Sequence, residues 1–176
     1  TAALYGGGLC LQDQDTRLLV SGIGTRLVVQ GNTVGDKGGG VFAESASSVV
    51  ISLGARVDVI GNTAASVHGG GLCLQDQGTR LDVSGIGTRL VVQGNSAGEY
   101  GGGVSAMSSS SVVVSLGARV DVIGNTAALY GGGLCLQDQD TRLEVSGIGT
   151  RLVVQGNTVV QSGGGVAASS ASSVVV

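Results

Sequence analysis

Apolar residues in this chain come in pairs two positions apart, and the pairs recur. Leu9/Leu11, Leu18/Val20 and Leu27/Val29 are followed by Val41/Ala43, Val49/Ile51 and Val57/Val59. A spacing of two places both members of a pair on one face of a strand, and no stretch follows the 3.6-residue spacing of a helix. Gly, Ser, Thr and Asn separate the pairs. The pattern therefore predicts three short strands, a break, and three more.

The break is itself periodic. Triple glycines start at Gly6, Gly38, Gly69, Gly101, Gly131 and Gly163, in steps of 32, 31, 32, 30 and 32 residues. Two kinds of unit alternate, GGGLCLQDQDTRLLVSGIGTRLVVQGNTVGDK and GGGVFAESASSVVISLGARVDVIGNTAASVH, so the full repeat is a pair. Cys10, Cys73 and Cys135 follow it, at spacings of 63 and 62 residues. A unit this short cannot close a core alone, but stacked units can. The expected fold is all-β, a parallel β-helix (solenoid) of about six coils of 30–32 residues with three short strands per coil, and a single domain over residues 1–176.

In such a stack, equivalent residues form columns with a rise of roughly 4.8 Å per coil. Asn32, Asn62, Asn95, Asn125 and Asn157 would lie at one corner, each amide able to donate and accept along the column. Arg26, Arg56, Arg89, Arg119 and Arg151 would form a second column, unfavourable by itself. Asp58 and Asp121 stand diagonal to it in alternate coils, and Asp82 and Glu144 add acid on the adjacent face; these are expected as solvated pairs that control register and solubility. The copies place Leu19, Asp82 and Glu144 at the middle of the second strand, and Cys10, Phe42, Cys73, Ser105, Cys135 and Ala167 at the middle of the first. Such tolerance of charge and size predicts solvent-facing positions.

Two cysteines two coils apart would have Cα atoms roughly 9.6 Å apart, beyond the ~7 Å reach of a disulfide. Cys10, Cys73 and Cys135 are therefore expected to be reduced, surface fillers, or bonded to a neighbouring molecule. The serine runs occupy one corner of alternate coils. Ser45, Ser47, Ser48, Ser108, Ser109 and Ser110 read as polar turn residues or as sites of O-linked sugar, and no Asn-x-Ser/Thr acceptor is present.

Composition narrows the function. Glycine supplies 34 of 176 residues, against a typical ~7%, but strict periodicity argues against a disordered tract. A net charge of −3 offers no basic footprint for nucleic acid, and 2% aromatics give no stacking platform. No apolar run is long enough for a membrane-spanning helix, and no charged-then-apolar leader opens the chain.

Val59-x-x-Asn62-Thr63-Ala64 leading to Gly70-Gly71-Leu72, with its copy Val122-x-x-Asn125-Thr126-Ala127 leading to Gly132-Gly133-Leu134, resembles the repeat of polymorphic outer membrane proteins and autotransporter adhesins. Gly7-Gly8-Leu9 is a further match. In those families Phe-x-x-Asn and Gly-Gly-Ala-Ile/Leu/Val motifs mark the coils of a right-handed parallel β-helix. The resemblance implies that handedness here, a cell-surface or extracellular location, and adhesion as one role. Phe is replaced by Val and Ala by Gly, and the family's membrane barrel is absent from the sequence.

Many parallel β-helices cleave polysaccharides, but such sites need a local cluster of unlike residues. Here nearly every candidate recurs in alternate coils, and His68 reads as a turn residue, comparable with Lys37, Tyr100 and Tyr130. No catalytic residue, cofactor or metal site is expected. Asp13, Asp15, Asp76, Asp138 and Asp140 could attract calcium, but the glycines lack the nonapeptide calcium pattern. No Gly-Lys-Ser/Thr follows the glycines, so they are not phosphate loops. One Thr or Ser per coil (Thr33, Thr63, Ser96, Thr126, Thr158) is thin for an ice-binding array.

Thr1 enters in the phase of Thr126 and Val176 stops in the phase of Val114. Solenoids end in atypical capping units, so the chain reads as an excised segment of a longer array. The expected function is an extracellular structural repeat protein, a stiff shaft of a surface filament, hair or stalk. Its partners would be further copies, end to end or side by side, with possible glycans. An adhesin passenger domain is the alternative, and a carbohydrate-active enzyme a distant one.

Overall fold

The computed structural model describes residues 4–176 and contains only strands and turns. Every strand pairs in parallel with its equivalents one coil away, so four sheets run along one axis. The first holds Leu9–Leu11, Val41–Ala43, Leu72–Leu74, Val104–Ala106, Leu134–Leu136 and Val166–Ala168. The second holds Arg17–Ser21, Ser48–Ser52, Arg80–Ser84, Ser111–Ser115, Arg142–Ser146 and Ser173–Val175. The third has five strands, Arg26–Gln30, Arg56–Ile60, Arg89–Gln93, Arg119–Ile123 and Arg151–Gln155. These are the three strands per coil that the paired apolar residues predict.

A fourth sheet adds Thr33–Val34, Thr63–Ala64, Ser96–Ala97, Thr126–Ala127 and Thr158–Val159. Two residues carry no periodicity, so this sheet is silent in the hydrophobic pattern. The count is also lower than six coils: five are complete, and a sixth stops after its second strand. The expected phase of Thr1 lies outside the described residues. Among the described residues no helix is long and apolar enough to cross a membrane.

The alternation decides what is inside. In the third coil Leu72, Leu74, Leu81, Val83, Leu90 and Val92 all point to the axis and are buried, together with their counterparts above and below. Each coil contributes such a ring, and no single ring could exclude water without its neighbours. The in-register pairing, for example Leu9 to Val41 to Leu72, keeps each aliphatic column continuous.

Coils can approach to strand distance at the corner only because glycine occupies it. Gly38 has φ of 68°, and a Cβ there would lie 2.6 Å from the Val41 carbonyl oxygen. At Gly40 a Cβ would meet the Gly71 carbonyl oxygen at 2.6 Å and Val59 Cγ1 at 2.9 Å. The first glycine supplies a left-handed turn; the third makes room for the backbone of the next coil. Gly40→Ala should therefore lower stability by about 3 kcal/mol, the upper end for overpacking. Gly94 has φ of 62° but nothing within 4 Å of an added Cβ, and Asn enters that region readily, so Gly94→Asn should lose less than about 1 kcal/mol. Urea unfolding of both variants measures the difference; equal losses would contradict the packing account.

Candidate functional site

The corner asparagines form one continuous hydrogen-bonded file. Asn62 Nδ2 donates to Val29 O and to Asn95 Oδ1, each at 3.0 Å, and the Asn62 N–H donates to the same Oδ1 at 2.9 Å. Asn95 repeats this toward Val59 O and Asn125, and Asn125 toward Val92 O and Asn157. Asn32 begins the file on Asn62 Oδ1, and Asn157 Nδ2 reaches Val122 O. Asn62, Asn95 and Asn125 are buried. The side chain is long enough to bond its own column and to satisfy a strand carbonyl that the tight turn leaves unpaired.

The arginines stack in register, Arg26 to Arg56 to Arg89 to Arg119 to Arg151. Their carboxylates differ from the solvated pairs that the sequence suggests, because the side chains of Asp58 and Asp121 are 0% exposed. Asp58 accepts from Arg26 at 2.6 Å and Arg56 at 2.8 Å; Asp121 accepts from Arg89 at 2.7 Å and Arg119 at 2.8 Å. Each Asp projects outward from the third sheet between two valines, and the two guanidinium groups close over it. Burial pushes the Asp121 carboxyl up, but hydrogen bonds from Arg119 and Arg89, with their positive charges, outweigh this and hold it below its ordinary value. Asp82 and Glu144 pair with Arg80 and Arg142 nearer the solvent.

The outer column of the first sheet also departs from expectation. Phe42, Cys73, Ser105 and Cys135 are buried, and only Cys10 among the thiols is exposed. The residue just before each glycine triplet covers this column. Tyr5, Lys37, His68, Tyr100, Tyr130 and Ser162 form successive parallel bridges. Tyr5 stacks on Phe42 at 4.9 Å, His68 on Tyr100 at 4.8 Å, and Tyr100 on Tyr130 at 5.7 Å. The expectation of outward thiols is thus corrected for Cys73 and Cys135: Cys73 packs with Phe42 and Met107, and Cys135 lies beside Tyr100 and Tyr130. Burial raises both thiols to about 12, so they are neutral and poor nucleophiles. All three are free, consistent with an intervening strand between each pair. Burial, reinforced by Lys37, lowers His68 to about 4, while its Nδ1 lies 3.4 Å from Ser105 Oγ. The neutral imidazole packs between Ser105 and the Tyr100 ring.

The serine corner is more occupied than a free turn. Ser47 and Ser110 are buried, and their hydroxyls donate to Leu11 O and Leu74 O at 3.4 and 3.3 Å. That removes both as sugar acceptors. Ser45, Ser108 and Ser109 have φ of 56°, 55° and 64°, and Ser109 Oγ donates to Gln139 O at 3.0 Å. Ser45, Ser48, Ser108 and Ser109 are half-buried.

One feature escapes the apolar-pair pattern because it sits in turns. Ile23, Leu53, Ile86, Leu116 and Ile148 occur at one phase of five successive units and are 94%, 67%, 87%, 67% and 100% exposed. A hydrophobic residue beside turn glycine in every unit is the sequence signal for them. A cleft of about 580 Å³ opens beside Tyr130 and Cys135, where Ser162 and Ala167 continue their columns with small side chains.

No three His, Cys, Asp or Glu side chains gather in a metal-binding group among the described residues. Comparison with family profiles, curated proteins and solved structures returns no match to this chain.

Acid should expose the worth of the buried Asp121 carboxylate. A carboxyl lowered by folding contributes stability that is complete above its unfolded value of about 3.9 and lost as pH falls toward the folded one. At pH 7 Asp121→Asn should unfold at lower temperature than the parent, and the gap should narrow progressively as pH falls below the ordinary carboxylate value of about 3.9. A gap constant from pH 7 to pH 2 would show that the charge contributes nothing.

Proposed function

We propose that this chain is a structural repeat segment, the stiff shaft of an extracellular or cell-surface filament, hair or stalk. The observation that carries this reading is continuity along one axis. Strand ladders, aliphatic columns, the amide file and the Arg–Asp clusters all run from coil to coil, with no coil set apart by its own chemistry. Bending such a body means opening many parallel hydrogen bonds at once. Repetition of the asparagine and Arg–Asp clusters suits a load-bearing element better than a catalytic one, where unlike groups converge once. The likeness of the Val-x-x-Asn and Gly-Gly-Leu segments to surface-protein repeats supports the location, and with it kinship to that repeat type.

Immunogold electron microscopy of native material, with an antibody raised to this chain, tests the reading. Label at regular intervals along the shaft of a filament is the expected result. Label confined to a tip, or to the cell interior, would overturn it.

A further inference from the structure

The ridge formed by Ile23, Leu53, Ile86, Leu116 and Ile148 has no explanation within the chain. Turns favour Gly, Asn, Asp and Ser, and these side chains bury little against their own protein. Leu53 and Leu116 also hold φ of 54° and 55°, a left-handed conformation that Gly or Asn adopts at lower cost. A leucine that is both exposed and conformationally unfavourable gains its stabilisation from something outside the coil. The five turns are stacked: Ile23 lies against Gly54, and Ile86 against Gly117, with a Cβ on either glycine 3.1 Å from the isoleucine Cγ1. Leu53 and Leu116 lie in turn beside Gly85 and Gly147, so each of the five coils carries one exposed apolar tip on the same corner, a feature of the kind that marks an interaction site.

We propose that this ridge is a lateral docking surface for a second copy of the chain, packed side by side with axes aligned. Two observations select that occupant. The tips repeat at the coil rise of roughly 4.8 Å, so only a partner with the same period meets every tip along the length. The serine column Ser21, Ser52, Ser84, Ser115 and Ser146 flanks one side; on the other, Ala55, Thr88 and Ala118 are buried and the next exposed side chains are the arginines, of which Arg26, Arg56, Arg89 and Arg119 are held on Asp58 and Asp121. The ridge itself carries no charge, and no lysine or arginine lies within the file to favour an anionic lipid surface. Area sets the strength. Covering a tip removes roughly 100 Å² from water, so five tips supply about 500 Å² per copy, below the ~800 Å² of a stable interface. Contact between two segments of this length is weak and reversible, and it strengthens with every added coil, as multivalent contacts do.

This inference extends the shaft reading and rests on it only for the idea that many coils align. Sedimentation equilibrium of the chain and of an Ile23→Ser, Ile86→Ser, Ile148→Ser variant tests it. The parent should self-associate with a dissociation constant on the order of 0.1–1 mM, the regime of small transient interfaces. The variant should be at least tenfold weaker, with unchanged circular dichroism and melting temperature. Leu53→Asn with Leu116→Asn should weaken association likewise while leaving the melting point equal or higher, so a folding defect cannot imitate the result. A parent that stays monomeric at millimolar concentration overturns the proposal. So does a variant that associates as strongly as the parent, which would assign self-association to the open strand edges and leave the shaft reading intact. Ridge-dependent binding of the monomer to phosphatidylcholine vesicles would overturn it in favour of a lipid surface.

Discussion

Close approach of backbone at one corner is the constraint on which the structure depends. Parallel strands from successive coils must stay at hydrogen-bonding distance all round the turn, and any Cβ at Gly40 would strike the Gly71 carbonyl. Glycine opens the corner but leaves it with no side chain to fix the register. The asparagine supplies that: Asn62, Asn95 and Asn125 each tie their own turn to the next coil and to a strand carbonyl in the preceding one. A slip of one residue would break the whole file and turn every aliphatic column outward.

The two alternating kinds of unit are complementary partners. Asp58 takes Arg56 from its own coil and Arg26 from the one before, and Asp121 does the same with Arg119 and Arg89. One buried carboxylate per pair of coils therefore relieves two stacked cations. The reverse loan occurs at the next turn, where Thr88 Oγ1 accepts from the Gly54 N–H and Thr150 Oγ1 from the Gly117 N–H, both at 2.9 Å. Ala55 and Ala118 occupy the equivalent positions of the other kind and are buried. Neither kind of coil, stacked on itself, would satisfy both sets of groups.

Backbone architecture was legible from the sequence because period and alternation are properties of the backbone. The glycine steps located each coil, and the apolar pairs picked out the residues that line the core. What escaped was side-chain depth on the outer faces. Variability at Cys73 and Phe42 resembles solvent exposure, but Tyr5, which stacks on Phe42, and Met107, which packs with Cys73, lie in turns outside any strand pattern. The acids Asp58 and Asp121 looked like surface partners because a count of charges carries no information about two guanidinium groups folding over one carboxylate. The fourth sheet is too short to leave a periodic signal, and the ridge from Ile23 to Ile148 leaves none because a hydrophobic residue in a turn breaks no strand rule. Chemistry at the serine corner is likewise decided by geometry: Ser47 and Ser110 are buried against strand carbonyls, whereas Ser45, Ser48, Ser108 and Ser109 are half-buried.

Hydrogen exchange of the corner amides, followed residue by residue by nuclear magnetic resonance, tests the central claim most directly. If the glycine–asparagine corner holds the coils in register, the backbone N–H groups of Asn62, Asn95 and Asn125 exchange as slowly as those of the third-sheet strands and open only with global unfolding. Exchange at rates typical of exposed turns, with the strands still protected, would contradict the account: register would then be set by the aliphatic columns alone.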